Sequence, residues 1–231
     1  MTPPDLAPAL AAAGHCEIDH IVIAAASLAQ GAAWCEAVLG AAPGPGGQHP
    51  LMGTHNRLLR IDGEGFEACY LEIIAIDPAA PSPRRARWFG LDDAGVHAAL
   101  RASPRLLGAV LRTRQLDPLS QGLRELGQDI GPLLAAERQT PEGRLAWRIA
   151  VRDDGAWPGS GRLPTLIEWK GRHPTEAMAP SALRLQSLAF GQLTPAEAEL
   201  LQLPAGMLQP GGAALSVTLH TPLGAVTLDT P

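Results

Sequence analysis

The chain has 231 residues, a formal net charge of -5, and a composition that is 46% hydrophobic and 18% charged. That length can bury a sizeable core as one large domain or as two to three small modules. The acidic balance and the lack of a basic stripe with interleaved aromatics exclude nucleic acid as the expected partner.

Three widely spaced cysteines, Cys16, Cys35 and Cys69, predict neither a disulfide framework nor a cysteine-rich zinc site. A reducing cytoplasm is therefore the expected location. No run of the sequence approaches the roughly 20 apolar residues of a membrane span, so no membrane partner is expected. Residues 1–16 predict an N-terminal lead-in without the basic start of a signal peptide.

The first predicted elements are a strand and a helix. Residues 18–25 are apolar and β-branched, which is typical of a strand. Ser27 then suits the N-cap of a helix that ends at Gly40. The apolar stripe of that helix recurs at helical spacing, at Leu28, Ala32, Cys35 and Leu39.

Further strands complete a first unit. A Pro/Gly loop over residues 41–50 leads to strands over residues 54–62 and 68–76, which form a hairpin around Gly63-Glu64-Gly65. A connector follows, in which Asp92 or Asp93 can cap a short helix that ends before Pro104.

The same pattern then repeats. Residues 108–114 predict a strand, and a second apolar stripe ends at Gly127, as the first ends at Gly40. Strands over residues 133–139, 144–152 and 165–170 follow. The chain thus contains two β-α-β-β-β modules, 17–80 and 106–172, joined by a connector, 81–105, and followed by a β-α-β-β extension, 173–231.

Three ionisable side chains lie inside apolar strands. Glu72 lies within Tyr70–Ile74, Glu168 within Thr165–Trp169, and His20 within residues 18–23. A charge on a strand faces water or needs a partner, and a metal ion is one such partner. One histidine and two glutamates from separate strands would suit a divalent cation.

These residues resemble the vicinal oxygen chelate superfamily, and more closely its glyoxalase-like domain family. The segments that carry the resemblance are Asp19-His20-Ile21-Val22, Gly46-Gly47-Gln48-His49-Pro50, Gly53-Thr54-His55-Asn56, Tyr70-Leu71-Glu72-Ile73-Ile74 and Leu166-Ile167-Glu168-Trp169. The resemblance implies an α+β fold in which the paired modules form a cupped eight-stranded mixed sheet. It says less about the reaction, because one fold hosts many chemistries.

The resemblance also implies metal ligands on the first and last strand of each module: His20, Glu72 and Glu168. The remaining ligand position is missing, because residues 106–115 contain no histidine, aspartate or glutamate. Three protein ligands and water would leave an open site. The alternatives are a hydrogen-bonded His20 at a strand start and a Glu168 that pairs with Lys170 on its own face.

Other polar residues complete the predicted site. Glu72 or Glu168 is the expected catalytic base, and His49 is a further base or an exposed loop histidine. Substrate contacts are expected from His55 or Asn56, which lie on opposite faces of a strand, and from Arg148 and His173. Arg148 lying on a solvated face is the alternative.

The predicted function is a metal-dependent lyase or isomerase that chelates a small metabolite through two adjacent oxygens. The cation is divalent, with zinc, manganese, nickel and iron as candidates. A metal-free protein that binds or sequesters a small molecule in the same cup is the alternative. Many relatives pair, which allows a homodimer. Five Trp, three Phe and one Tyr do not predict an aromatic-lined cup.

Overall fold

The structure, a computed structural model, describes residues 16–231. The first module runs strand, helix, then three strands, of which the first of the three is very short. Its elements are β1 (Glu17–Ala24), α1 (Leu28–Trp34) with a π-helical turn (Cys35–Leu39), β2 (Gln48–His49), β3 (Thr54–Arg60) and β4 (Tyr70–Ile76). The predicted lead-in lies outside the described residues except for Cys16.

The connector contains a 3-10 turn (Trp88–Gly90) and α2 (Ala94–Ala102). The second module repeats the first, with a further 3-10 turn (Pro158–Gly161) before its last strand. Its elements are β5 (Arg105–Arg112), α3 (Leu116–Glu125), β6 (Leu133–Thr140), β7 (Gly143–Ala150) and β8 (Thr165–Trp169). A 3-10 turn (Pro174–Glu176) then leads into the extension.

The extension has the predicted β-α-β-β order. It consists of β9 (Arg184–Phe190), α4 (Pro195–Leu200), a 3-10 turn (Ala205–Met207), β10 (Leu215–Thr221) and β11 (Gly224–Asp229). Its strands form a separate antiparallel sheet in the order β11-β10-β9. Pro222 and Leu223 make the turn of the β10–β11 hairpin.

The two modules share one mixed sheet, in the order β2-β3-β4-β1-β5-β8-β7-β6. Within each module the first and last strands are parallel, and β1 and β5 join the modules as an antiparallel pair. The sheet nearly closes on itself, since its two end strands, β2 and β6, come close together. Gly47, beside β2, lies against Arg138 of β6, and a Cβ at Gly47 would be 2.3 Å from Arg138 Nη1. The predicted cup is confirmed.

Two hydrophobic clusters cover the two faces of this sheet. The cluster on the concave face includes Val22, Ile74, Val110 and Ile167. The cluster on the outer face joins α1, α3 and the extension, and contains residues such as Ile21 and Leu219. The concave face is therefore the place where both modules can present side chains to one site.

The local signals for the first helix are confirmed. Ser27 caps α1 by accepting a hydrogen bond from the backbone N–H of Gln30 at 3.2 Å. Gly40 ends the helix with φ of 65°, a conformation that glycine adopts readily. None of the helices within residues 16–231 is both long enough and apolar enough to cross a membrane.

Candidate active site

A small inner cavity of about 30 Å³ lies within the cup. Its polar wall comes from the first module and its apolar wall from the connector and the second module. The polar wall includes His20, His49, Asn56, Tyr70 and Glu72, and the apolar wall includes Trp88, Phe89, Trp147 and Trp169. The space would hold a water molecule or two, so only the reacting end of a ligand would fit.

A β-bulge on β1 places two polar side chains on the concave face. Residues Ile18 and His20 pair with consecutive residues of β5, Leu111 and Val110, which leaves Asp19 as the extra residue. An extra residue in one strand interrupts the usual alternation of faces. Asp19 and His20 therefore lie side by side, and Asp19 Oδ1 lies 2.6 Å from His20 Nδ1.

Asp19 is fully buried and accepts three hydrogen bonds. The donors are His20 Nδ1, Trp169 Nε1 at 2.8 Å and His173 Nε2 at 2.9 Å. Burial alone would raise the pKa of Asp19, but the hydrogen bonds from His173 and His20 hold the pKa well below its usual range. An ionised Asp19 fixes the proton of His20 on Nδ1.

Glu72 faces the other nitrogen of His20. Its Oε2 lies 3.6 Å from His20 Nε2, and both side chains are buried. With its proton on Nδ1, a neutral His20 presents an acceptor to a carboxylate, and two buried acceptors need a proton or a cation between them. This pair is the chemical centre of the cup.

Asn56 holds Glu72 from the opposite side. Its Oδ1 accepts hydrogen bonds from the backbone N–H of Gly47 at 2.8 Å and from Arg138 Nη1 at 3.2 Å. Its Nδ2 is thereby directed to Glu72 Oε1, at 2.6 Å, and to His49 Nε2, at 3.4 Å. The polar wall is thus a single hydrogen-bonded network.

His49 closes this network as a neutral side chain. Burial, reinforced by the charges of Arg138, His20 and His55, lowers its pKa from 6.5 to about 3. Its Nδ1 lies 3.1 Å from Thr54 Oγ1, and its Nε2 accepts from Asn56. A neutral His49 can accept a proton at its Nε2 only weakly, so the structure favours a positioning role for it.

The four aromatic side chains of the apolar wall, called the aromatic wall below, were not predicted. Tyr70 stacks on His20 with ring centroids 4.6 Å apart, and Trp88, Phe89, Trp147 and Trp169 also line the inner cavity. These are five of the nine aromatic residues in the chain. Trp88 Nε1 is buried and lacks a hydrogen-bond partner within residues 16–231, which leaves a donor for an oxygen atom of a ligand.

The second module adds no donor at the positions equivalent to His20 and Glu72. Gly108 and Val110 take the corresponding places on β5, and Ile167 lies on the concave face of β8. Trp157 packs over Gly108, where a Cβ would lie 2.3 Å from its ring. The missing ligand position noted in the sequence is thus filled by apolar packing.

The ligand role predicted for Glu168 requires correction. Ile167 faces the cup, so the alternation of strand β8 turns Glu168 to the outer face. There Glu168 Oε2 pairs with Arg148 Nη2 at 2.7 Å and with Lys170 Nζ at 2.5 Å. Arg148 also pairs with Asp117 of α3. Neither the metal and base roles of Glu168 nor the substrate contact of Arg148 fits this position.

The two remaining histidines of the predicted site, His55 and His173, lie beside or behind it. His55 faces away from Asn56 and lies 3.8 Å from Asp77, outside the inner cavity, so its predicted substrate contact also requires correction. His173 follows the second module, as expected, but its Nε2 bonds to Asp19. It supports the site from behind and also lines a larger outer cavity.

The predicted metal centre can be compared with the donors present. Within residues 16–231 no group of three or more His, Cys, Asp or Glu side chains converges on one point. His20 and Glu72 converge as a pair, whereas catalytic zinc sites use three protein ligands. The residues therefore do not fit the predicted three-ligand centre, and the divalent cation stays a prediction.

Sequence reasoning missed Asp19, Tyr70, Arg138 and Trp169 as site residues. Asp19 carried a usable signal, because a buried strand with adjacent Asp and His residues has two polar groups to satisfy. Arg138 carried no signal, since it alternates with other polar residues on an exposed hairpin. Its position depends on closure of the cup, which only the structure shows.

Two consecutive β-α-β-β-β modules close one cup around a buried polar pair, as expected from the resemblance to the vicinal oxygen chelate superfamily. A family model described as "Glyoxalase-like domain" matches residues 18–203. The chain therefore belongs to the glyoxalase-like domain family. Among curated proteins, none matches this sequence.

Three solved structures are similar to this chain. A hypothetical protein from Staphylococcus aureus is 12% identical, with a TM-score of 0.58 over 94% of this chain and 86% of that chain. Methylmalonyl-CoA epimerase from Streptomyces coelicolor is 19% identical, with a TM-score of 0.41 over 67% and 98% of the two chains. The Mycobacterium tuberculosis epimerase is 17% identical, with a TM-score of 0.41 over 70% and 92%.

Proposed function

We propose that this protein is an enzyme of the lyase or isomerase type that moves a proton on a small oxygen-bearing metabolite. The observation that carries the proposal is the buried pair of His20 Nε2 and Glu72 Oε2, 3.6 Å apart at the inner cavity. A buried histidine and carboxylate in contact are suited to general acid–base catalysis.

Each side chain has a role in this proposal. Glu72 is the base that takes a proton from a carbon next to a substrate carbonyl, and Asn56 holds it in place. The proton that the His20–Glu72 pair needs lies on His20 Nε2 in this role, so His20 can give it to the substrate oxygen. Ionised Asp19, bonded to Nδ1, stabilises the charge of His20 until that transfer. The free Trp88 Nε1 would donate to the same oxygen.

A divalent cation remains a separate prediction. His20 and Glu72 are the two donors that the structure brings together for it, one fewer than the three predicted. Elemental mass spectrometry of protein purified without chelator tests this prediction. Near-stoichiometric metal in the wild type that is lost in Glu72→Gln would support it.

Exchange of a substrate C–H proton with solvent deuterium tests the proposed proton transfer, and this test does not require that the product be known. The wild type would be incubated in D₂O with a panel of small 2-oxo and 2-hydroxy acids, aldehydes and ketones, and NMR would follow loss of the proton at the reacting carbon. We expect exchange in the wild type and a loss of about 10²–10⁴-fold in Glu72→Gln, because the base is removed.

Glu168→Gln is the matched control for that experiment. It makes the same chemical change on the outer face, in a side chain held by Arg148 and Lys170. We expect its exchange rate to equal that of the wild type. An equal loss in both variants, or no exchange with any compound, would contradict the proposed enzyme.

The second candidate function is a metal-free protein that binds or sequesters a small molecule. The aromatic wall of Trp88, Phe89, Trp147 and Trp169 favours it, because aromatic surfaces bind small molecules without chemistry. Binding of panel compounds without exchange and without metal would support this function instead.

A further inference from the structure

An outer cavity of about 540 Å³ lies beside the inner cavity, and Arg138 lines both. The outer cavity is bounded by β3, by the β6–β7 hairpin and by the segment that follows β8. Its volume lies in the range typical of metabolite pockets. Arg138 therefore lies between the outer cavity and the His20–Glu72 pair, where it can contact a ligand that extends from one to the other.

Arg138 differs from the other arginines around this cavity. Arg60 pairs with Asp62 at 2.5 Å, and Arg172 lies 3.6 Å from Glu176. Within the part of the chain that the structure describes, Arg138 has no carboxylate in ion-pair distance. Its hydrogen bond is to the neutral amide of Asn56. A half-buried guanidinium without a counter-ion is suited to an anionic ligand.

Two glycines leave room for Arg138 and for its partner Asn56. A Cβ at Gly47 would lie 2.3 Å from Arg138 Nη1, and a Cβ at Gly46 would lie 1.9 Å from the carbonyl oxygen of Asn56. Any larger residue at Gly47 would displace the guanidinium. The Gly-Gly segment seen in the sequence thus makes room for Arg138 and holds Asn56 through the Gly47 N–H.

The charge of the lining agrees with this assignment. Arg60, Arg138 and Arg172 line the outer cavity, while Glu142 is the one acidic residue among its described lining. Because Arg60 and Arg172 each have a carboxylate partner, Arg138 is the arginine of this lining whose charge is left for an anionic ligand.

We propose that the ligand is an organic acid whose carboxylate pairs with Arg138 and whose body occupies the outer cavity. Arg138 Nη1 contacts Asn56 Oδ1, and Asn56 Nδ2 contacts Glu72 Oε1. Arg138 and Glu72 also line the same inner cavity, so a carboxylate on Arg138 would bring the carbon next to it into the cavity that holds this base. This step rests on the proposed function and makes the substrate class a 2-oxo or 2-hydroxy acid.

Matched acid and alcohol probes test the anion site directly. The probes are lactate against propane-1,2-diol and gluconate against sorbitol, titrated at constant ionic strength with NaCl. Binding would be followed by tryptophan fluorescence, since three tryptophans line the inner cavity, and independently by ligand-observed NMR. We expect at least one acid to bind more tightly than its neutral partner.

Variants assign that preference to Arg138. Arg138→Gln should weaken acid binding by at least about tenfold, since a hydrogen-bonded charge contributes about 1.5–3 kcal/mol. Arg138→Lys should bind acids more tightly than Arg138→Gln, because it keeps the charge. Arg144→Gln, an exposed neighbour on the same hairpin that pairs with Glu137, should match the wild type.

The opposite results would overturn the anion site. These are acids that bind no more tightly than their neutral partners, or Arg138→Gln and Arg144→Gln that behave alike. Binding to Glu72→Gln separates this proposal from the proposed reaction. If that variant keeps the Arg138-dependent preference while the wild type shows no proton exchange, the anion site stands and the enzyme fails.

Discussion

At the scale of the residue, burial of His49 gives the protein a pH-dependent stability. The pKa of His49 is about 3 in the folded chain and about 6.5 when unfolded, so between these values the unfolded chain binds the additional proton. Its contribution to stability is complete above about pH 6.5 and is lost as the pH falls toward about 3. Ionised Asp19 adds a loss of the same sign at more acidic pH.

We predict that His49→Asn flattens this dependence. The wild type should lose up to about 1.4 kcal/mol of unfolding free energy per pH unit through His49 over that window. Urea unfolding at a series of pH values from 7 to about 4 measures the slope in the region where the protein stays folded. His220→Asn, an exposed control, should keep the wild-type slope. Equal slopes in all three proteins would show that His49 is charged in the folded state.

At the scale of the element, apolar packing occupies the position on strand β5 where the resemblance implies a metal ligand. Trp157 occupies the space over Gly108, and its Nε1 donates to the carbonyl oxygen of Leu163 at 2.6 Å. The hydrogen bond and the surrounding aromatic rings hold the indole in place. The ring can therefore not move easily to admit a side chain on β5.

Gly108→Ala should accordingly destabilise the fold by about 1–3 kcal/mol through overpacking. Gly206→Ala is the control, because no atom lies within 4 Å of its Cβ position and its φ is not positive. That change should stay within about 0.5 kcal/mol of the wild type. Chemical denaturation measures both, and an unaltered Gly108→Ala would mean that Trp157 does not pack as described.

The elements were predictable from the sequence where one local signal dominated. Apolar periodicity and caps located α1, α3 and the strands of both modules, although β5 begins at Arg105, directly after the Pro104 break, rather than at residue 108. Faces were less predictable. The bulge at Asp19 interrupts the alternation of β1, and either face of β8 could hold Glu168 until Ile167 packed into the concave cluster.

At the scale of the whole molecule, the extension and the sheet share the outer hydrophobic cluster. A charged contact also joins them, because Arg162 donates to both carboxylate oxygens of Glu197 at 2.6 and 2.7 Å. Burial alone would raise the pKa of Glu197, but the bonds from Arg162 and the Thr194 backbone lower it. Glu197 is almost fully buried and Arg162 is partly exposed.

Breaking this contact should destabilise the molecule as a unit. We predict that Arg162→Gln lowers the unfolding free energy by about 2–4 kcal/mol, less than for a fully buried pair because water reaches Arg162. Arg144→Gln, which breaks an exposed pair with Glu137, should cost less than about 1 kcal/mol. Calorimetry measures both, and a separate early transition in the wild type would show that the extension unfolds by itself.

The assembled site was only partly predictable for the same reason. His20, Glu72, Asn56 and His49 line one cavity, and all four belong to the first module, where the sequence offered them as candidates. The aromatic wall joins the connector to β7 and β8, and Arg138 reaches the site only because β6 closes against the loop at Gly47. Such contacts depend on the tertiary arrangement, which local periodicity does not encode.

The most direct test of the central claim is the ¹⁵N NMR spectrum of His20 at neutral pH. We predict a proton on Nδ1, held by Asp19, and an Nε2 chemical shift that changes in Glu72→Gln but not in Glu168→Gln. A proton on Nε2 alone, or an Nε2 shift that ignores the loss of the Glu72 charge, would contradict the His20–Glu72 pair as the site of chemistry.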